Sequence, residues 1–125
     1  MVTGTGVDLI RIERIRTAIE RWDSRFLRRI FTENEISYCY SKKYPYASLA
    51  VRFAAKEALI KALGSEYFIP FTDIEVLLDN KGKPFINPGE RLRVILAERA
   101  IASLHLSLSH ETDYGVATVI IEGAP

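Results

Sequence analysis

One cysteine, Cys39, stands among the 125 residues. That excludes an internal disulfide and fits a reducing compartment. It also leaves no His/Cys spacing of the kind zinc requires. No basic region followed by an apolar run opens the chain, so no signal peptide is expected. No stretch is long and apolar enough to span a bilayer. The expectation is a cytoplasmic protein with no membrane partner. Neither sign of charge dominates: 17 Lys and Arg against 16 Asp and Glu leave a net charge of +1. That argues against a general nucleic-acid partner. Repeats, linkers and low-complexity tracts are missing as well. Residues 1–125 are therefore expected to form a single domain with a real core.

Balance overall hides local imbalance. Arg11, Arg14, Arg16, Arg21, Arg25, Arg28 and Arg29 crowd together near the N-terminus. Glu13, Glu20 and Asp23 dilute the patch, but the arginines outnumber them. Such a surface suits carboxylates of an acidic protein, because guanidinium groups bind them in a two-pronged fashion. A merely solvated charged face is the alternative.

Residues 2–12 mix Gly with Val, Leu and Ile and read as a strand, in which Gly4 and Gly6 predict close approach by another backbone or a ligand. Ile12, Ile15, Ile19 and Trp22 recur at helical spacing. A short helix carrying Phe26, Leu27 and Ile30 is expected after Asp23 or Ser24. Thr32 and Glu35 have the spacing of a capping box, opening a helix with Ile36, Tyr38 and Tyr40. Residues 47–64 are rich in Ala and Leu without internal Gly or Pro and predict a long helix, with Pro45 at its start and Gly64 as its cap. Its apolar residues cover more than one face, so burial against other elements or another subunit is expected.

In the second half, 71–79 and 84–87 flank Asn80-Lys81-Gly82-Lys83 and predict a hairpin. After the Pro88-Gly89 break, 90–103 reads as an amphipathic helix with Leu92, Ile95, Leu96 and Ala100 on its apolar side. Leu104, Leu106 and Leu108 alternate with His105, Ser107 and Ser109 as in a half-buried strand, and 116–121 returns as another. The fold class is α+β with an antiparallel sheet packed with a long central helix.

Glu57 and Lys61 lie one turn apart on that helix, with Ala50 and Ala54 on the same side. Small side chains there suggest a shallow surface where a substrate meets the backbone, although an ordinary i,i+4 ion pair explains the two charges equally well. Asp8 sits in an otherwise apolar strand, where a carboxylate needs a partner. With Glu57 it supplies two oxygen ligands, which suits Mg²⁺ completed by phosphates and water. Ser107-Leu108-Ser109-His110 ends a strand at a turn. Such a tip offers Ser109 and His110 as donors to a phosphate or base. A Ser–His nucleophile is not expected there, since no elbow or orienting acid accompanies it. Lys42, Lys43 and Arg52 are further phosphate candidates.

Taken in order, several motifs carry a resemblance. They are Gly4-Thr5-Gly6-Val7-Asp8-Leu9-Ile10 with Glu13-Arg14-Ile15, and Phe31-Thr32 with Glu35 and Tyr38. Arg52-Phe53-Ala54-Ala55-Lys56-Glu57-Ala58 follows with Lys61-Ala62-Leu63-Gly64. Asp73-Ile74-Glu75-Val76, Gly82-Lys83-Pro84, Ser107-Leu108-Ser109-His110 and Ala117 with Val119-Ile120 complete the set. Over almost its whole length the sequence resembles the holo-[acyl-carrier-protein] synthases, small bacterial 4′-phosphopantetheinyl transferases. The resemblance implies transfer of the 4′-phosphopantetheine arm of coenzyme A to a serine of apo-acyl carrier protein, releasing adenosine 3′,5′-bisphosphate. It implies Mg²⁺ on Asp8 and Glu57, with Lys61 at the same phosphates. It implies Arg52, His110 and Lys42 or Lys43 at the adenosine 3′-phosphate. Arg14, Arg21 and Arg25 would meet the carrier protein, and three copies would assemble as a trimer with sites at subunit interfaces. Whether Glu57 takes the serine proton directly or through a water is left open. One departure is the 65–70 segment, where the family often has a longer, Gly-rich loop; contacts through that loop are not carried over. The rival reading is a non-enzymatic oligomeric module that holds an acidic protein by its arginine helix. It leaves Asp8, Glu57 and Lys61 without a task.

Overall fold

The structure, a computed structural model, describes residues 1–64 and 66–125. Ser65, at the head of the divergent segment, lies outside the described residues. Strand β1 (Val2–Arg11) leads directly into helix α1 (Ile12–Ile30), followed by α2 (Glu33–Tyr40) and the long α3 (Tyr46–Leu63). A single 3₁₀ turn (Phe71–Asp73) precedes the hairpin β2 (Ile74–Leu78) and β3 (Pro84–Pro88). Helix α4 (Glu90–Glu98) and strands β4 (Ile101–His110) and β5 (Tyr114–Gly123) close the chain. The order matches the α+β expectation. The strands form two antiparallel sheets: one of three strands in the order β1-β5-β4, and the β2–β3 hairpin.

Local chemistry explains most boundaries. Thr32 accepts a hydrogen bond from the Glu35 amide at 3.2 Å, and Glu35 Oε1 accepts one from the Thr32 amide at 2.9 Å, so the capping box is complete. Gly64 ends α3 at φ 92°, a left-handed value that glycine adopts without strain. Two boundaries differ from the sequence reading. The amphipathic stretch 90–103 stops being helical at Glu98, because Ala100 turns left-handed (φ 52°) and Ile101 pairs with Gly123 of β5. Residues 71–73 wind into the 3₁₀ turn before the hairpin strand begins. Asp23, at φ 57° and ψ −145°, breaks α1 where the second, short helix is expected to begin, but Trp22 just before it is 60% exposed rather than part of the buried stripe.

The core lies between the inner face of the three-stranded sheet and α3. Ile10, Ala117, Val119 and Ile121 meet Ala54, Ala58 and Leu59 there, with Ile15 of α1 and Leu92 of α4 closing the sides. Gly4 and Gly6 bring β1 onto α3 at backbone contact. A Cβ on Gly6 would stand 1.9 Å from the Ala58 carbonyl oxygen, and one on Gly4 2.3 Å from that of Ala62. The close partner these glycines predict is therefore another backbone. Ala50 and Ala54 are fully buried under the sheet, so their small size seats the sheet and not a substrate. Nor does α3 need a second subunit to cover it: Leu49, Ala55, Ala58 and Leu59 are at 0% exposure within one chain. The outer face of the sheet keeps apolar surface uncovered: Val7 and Leu9 are 56% and 66% exposed.

Candidate active site

Strand alternation decides which way Asp8 points. Gly4, Gly6, Asp8 and Ile10 share the face toward α3, while Val7 and Leu9 face outward. The glycines pull this face against the last turns of α3, which sets Asp8 beside Lys61. Lys61 Nζ donates to Asp8 Oδ1 at 2.9 Å and to the Val7 carbonyl at 3.0 Å. Asp8 thus has the internal partner that its apolar strand demanded. The pair is open to solvent, with the Lys61 side chain 53% and the Asp8 side chain 16% exposed.

Glu57, one turn before Lys61, is half-buried. Burial pushes its carboxyl above the usual range, the Asp8 charge pushes the same way, and Lys61 opposes both. Two carboxylates therefore face one ammonium, and a negative charge is left over. No group of three or more His, Cys, Asp and Glu side chains suited to a metal occurs among the described residues. Two carboxylates with open surface beside them fit Mg²⁺, which binds few protein oxygens and takes its other ligands from water and phosphate.

The phosphate candidates lie elsewhere along α3. Arg52 is 4% exposed and donates from Nη1 to the Ser48 carbonyl at 3.1 Å. Its guanidinium lies over the Tyr38 ring, and so does the Lys42 ammonium. Lys43 is exposed. His110 lines a cleft of about 460 Å³ with Tyr44, Ala47, Glu111 and Thr112 at the other end of α3. At 1.5 Å per residue, Ala47 and Glu57 are about 15 Å apart along the helix. Ser109 is in register with Val116, and Val116 with Leu9, on the outer face of the sheet. One chain therefore brings Asp8, Glu57 and Lys61 together and holds Ser109 and His110 apart from them.

Residues 4–119 match the 4′-phosphopantetheinyl transferase superfamily. The chain belongs to that superfamily. It is 46% identical to a holo-[acyl-carrier-protein] synthase of Clostridium tetani over 125 residues, covering 98% of each chain. It is 35% identical to the crystal structure of the holo-[acyl-carrier-protein] synthase of Neisseria meningitidis, with a TM-score of 0.90 over 98% of this chain and 99% of the other. The Helicobacter pylori holo-[acyl-carrier-protein] synthase, solved in complex with coenzyme A, is 31% identical with a TM-score of 0.83, covering 94% of this chain and 99% of that one.

In this transferase the arginines of α1 divide into two sets. Arg16 is engaged by Glu13 at 2.7 Å and Glu20 at 3.4 Å, and Arg28 is engaged by Glu33. Arg14, Arg21 and Arg25 have no salt bridge among the described residues. Arg14 and Arg21 line a groove of about 430 Å³ with Thr17, Ala18 and Trp22. Arg25 lines a second, of about 370 Å³, with Trp22, Phe26 and Arg29. Glu13 and Glu20, two of the acids that dilute the patch in the sequence, thus neutralise Arg16. Exposed Trp22 adds apolar surface between the grooves.

Sequence reasoning missed one charged cluster. Lys56 and Glu35 form an ion pair at 2.9 Å with both side chains at 0% exposure. Lys56 also donates to the carbonyls of Phe71 at 3.1 Å and Ile74 at 2.6 Å, and Glu35 Oε2 accepts from the Val76 amide at 2.9 Å. Next to it, Glu75 accepts hydrogen bonds from Thr32, Asn34 and Asn87. Burial pushes Glu75 up, but these bonds and the Lys56 charge outweigh it and hold the carboxyl below its usual range. The signal available in advance was a lysine on an apolar face of a helix.

Proposed function

We propose that this chain transfers the 4′-phosphopantetheine arm of coenzyme A to a serine of apo-acyl carrier protein, releasing adenosine 3′,5′-bisphosphate. The observation that carries the reading is the meeting of Asp8, Glu57 and Lys61 at the seam of β1 and α3, inside a superfamily match over residues 4–119. The serine hydroxyl attacks the β-phosphorus of coenzyme A and the bisphosphate nucleotide leaves. Lys61, steered by Asp8 and the Val7 carbonyl, keeps its exposed ammonium for the phosphate oxygens, where charge builds as the bond breaks. Asp8 and Glu57 would hold Mg²⁺. When bound, the ion supplies charge neutralisation on the pyrophosphate. The serine proton would pass to Glu57, directly or through a water.

Arg52, Lys42 or Lys43, Ser109 and His110 are assigned to the nucleotide end, and Arg14, Arg21 and Arg25 to the acidic carrier protein. We further propose that the whole of 1–125 works as one domain and that three copies associate. The outer sheet face with Val7 and Leu9 supports this as the interface. The separation of Ser109 and His110 from Lys61 in one chain supports their completing a neighbour's site. The lone, buried Cys39 supports a cytoplasmic setting.

The test is incubation with coenzyme A and apo-acyl carrier protein, following adenosine 3′,5′-bisphosphate by chromatography and the carrier protein by mass. Both products should rise together and only with Mg²⁺ present. Binding of the carrier protein without nucleotide release would favour the non-enzymatic module instead.

A further inference from the structure

Among the described residues Tyr38 is the only aromatic ring that meets two cations. The Lys42 ammonium lies 4.8 Å and the Arg52 guanidinium 4.7 Å from its centroid. The two arrive from different elements. Tyr38 sits in the last turn of α2, whose end is fixed by Ser41: its amide bonds back to the Ser37 and Tyr38 carbonyls and its hydroxyl to the Tyr38 carbonyl at 2.5 Å. Lys42 follows, its amide held by the Cys39 carbonyl at 3.1 Å. Arg52 reaches the ring from α3. Neither cation has a carboxylate partner among the described residues. The negative face of the ring attracts both, and the Ser48 carbonyl holds Arg52 as well.

The arrangement leaves donors to spare. Arg52 makes one side-chain hydrogen bond, to Ser48. No buried side-chain nitrogen or oxygen among the described residues lacks a partner. The Arg52 nitrogens that Ser48 does not use are therefore not wholly sealed, although the residue as a whole is 4% exposed. A planar fork of N–H groups and an ammonium on one ring, neither in a salt bridge among the described residues, suit a phosphate monoester.

We propose that Tyr38 is a positioning residue for the nucleotide end of coenzyme A, its ring holding Arg52 and Lys42 in place for the 3′-phosphate. This rests on the assignment of those two cations to that phosphate. The ring face acts, not the hydroxyl, so the phenylalanine variant keeps the function and an aliphatic one loses it.

The experiment compares steady-state kinetics of wild type, Tyr38→Leu and Tyr38→Phe with coenzyme A and with 3′-dephospho-coenzyme A. Tyr38→Leu should raise KM for coenzyme A about fivefold, the scale of one or two cation–π contacts. It should leave kcat and the KM for the dephospho substrate near wild type, and Tyr38→Phe should match wild type on both. An equal rise for both substrates, or none for coenzyme A, overturns the proposal. A wild-type enzyme that does not distinguish the two substrates overturns the assignment of the cations themselves, which is a separate result. Should thermal melting show the leucine variant unfolded, Tyr38→Met fills the same space with an adaptable side chain and no ring. The same substrate comparison then decides.

Discussion

Helix α3 carries two lysine–carboxylate pairs little more than a turn apart, and they are opposites. Lys56 and Glu35 are both wholly buried, and Lys56 meets Glu35, Phe71 and Ile74, so each of its three N–H donors has an acceptor. Burial lowers the Lys56 pKa, and the Glu35 charge opposes that shift. Lys61 and Asp8 stand at the surface, Lys61 keeps a donor over, and Glu57 beside them holds a carboxyl raised by burial and by Asp8. The first cluster satisfies itself and so has nothing to offer a ligand. The second is left incomplete by its own chain. Charge alone does not mark a site; unmatched charge at the surface does. The same contrast separates the sealed inner face of the sheet from its outer face, and Arg16 from Arg14.

The sharpest way to break the comparison is to damage the closed pair. Lys56→Ala strands the Glu35 charge in the core and should cost about 3–5 kcal/mol of stability by urea unfolding. A loss below about 1 kcal/mol would show that water reaches the pair. Replacing both partners by apolar residues will not restore wild type, because Glu35 also serves the Val76 and Thr32 amides.

In the open cluster the balance reverses. Asp8→Asn and Glu57→Gln keep shape and remove charge. Each should lower turnover by about 100-fold or more, the scale of losing a transition-state stabiliser, while the melting temperature holds. For Glu57→Gln it should hold or rise, since burial and Asp8 both penalise the native carboxylate. Near-normal turnover of both variants at limiting Mg²⁺ would remove these residues from the metal site.

On the outer sheet face, Leu9→Arg places a charge where a neighbour's apolar surface is expected. Light scattering at micromolar concentration should read three copies for wild type and one for the variant. A wild-type monomer with full activity would sink the shared-site reading. The smallest effect belongs to the arginines. Arg14→Glu should raise KM for the carrier protein several-fold, consistent with about 1 kcal/mol for an exposed pair, and leave coenzyme A binding alone. If coenzyme A binding collapses while the carrier KM stays flat, α1 serves the nucleotide.

Much of this was legible in advance because it is local. The Thr32–Glu35 box needs only three residues of spacing, Gly64 needs only its own φ, and the order of elements follows from periodicity. Asp8, Glu57 and Lys61 were legible as charges in apolar surroundings. What stayed hidden depends on partners far along the chain. Glu35 reads as a cap, and its second role needs Lys56, brought to it by the packing of α2 on α3. Ala100 and Ile101 satisfy a helical pattern until β5 offers Ile101 a partner in Gly123. Trp22 fits the apolar stripe until Asp23 bends the helix. Ala54, read alone, suggests room for a substrate. Read against Gly4 and Gly6, the alanines of α3 are one half of a backbone-to-backbone seam.

That seam fixes the backbone span beneath the two carboxylates. Where a strand and a helix touch peptide to peptide, no rotamer change and no side-chain swap can bring them closer. The gap between the Cα atoms of Asp8 and Glu57 is set by atomic radii along Gly4, Gly6, Ala58 and Ala62. An ion shared by the two carboxylates would be fitted by the torsions of the Asp8 and Glu57 side chains alone, because the backbone beneath them cannot close further.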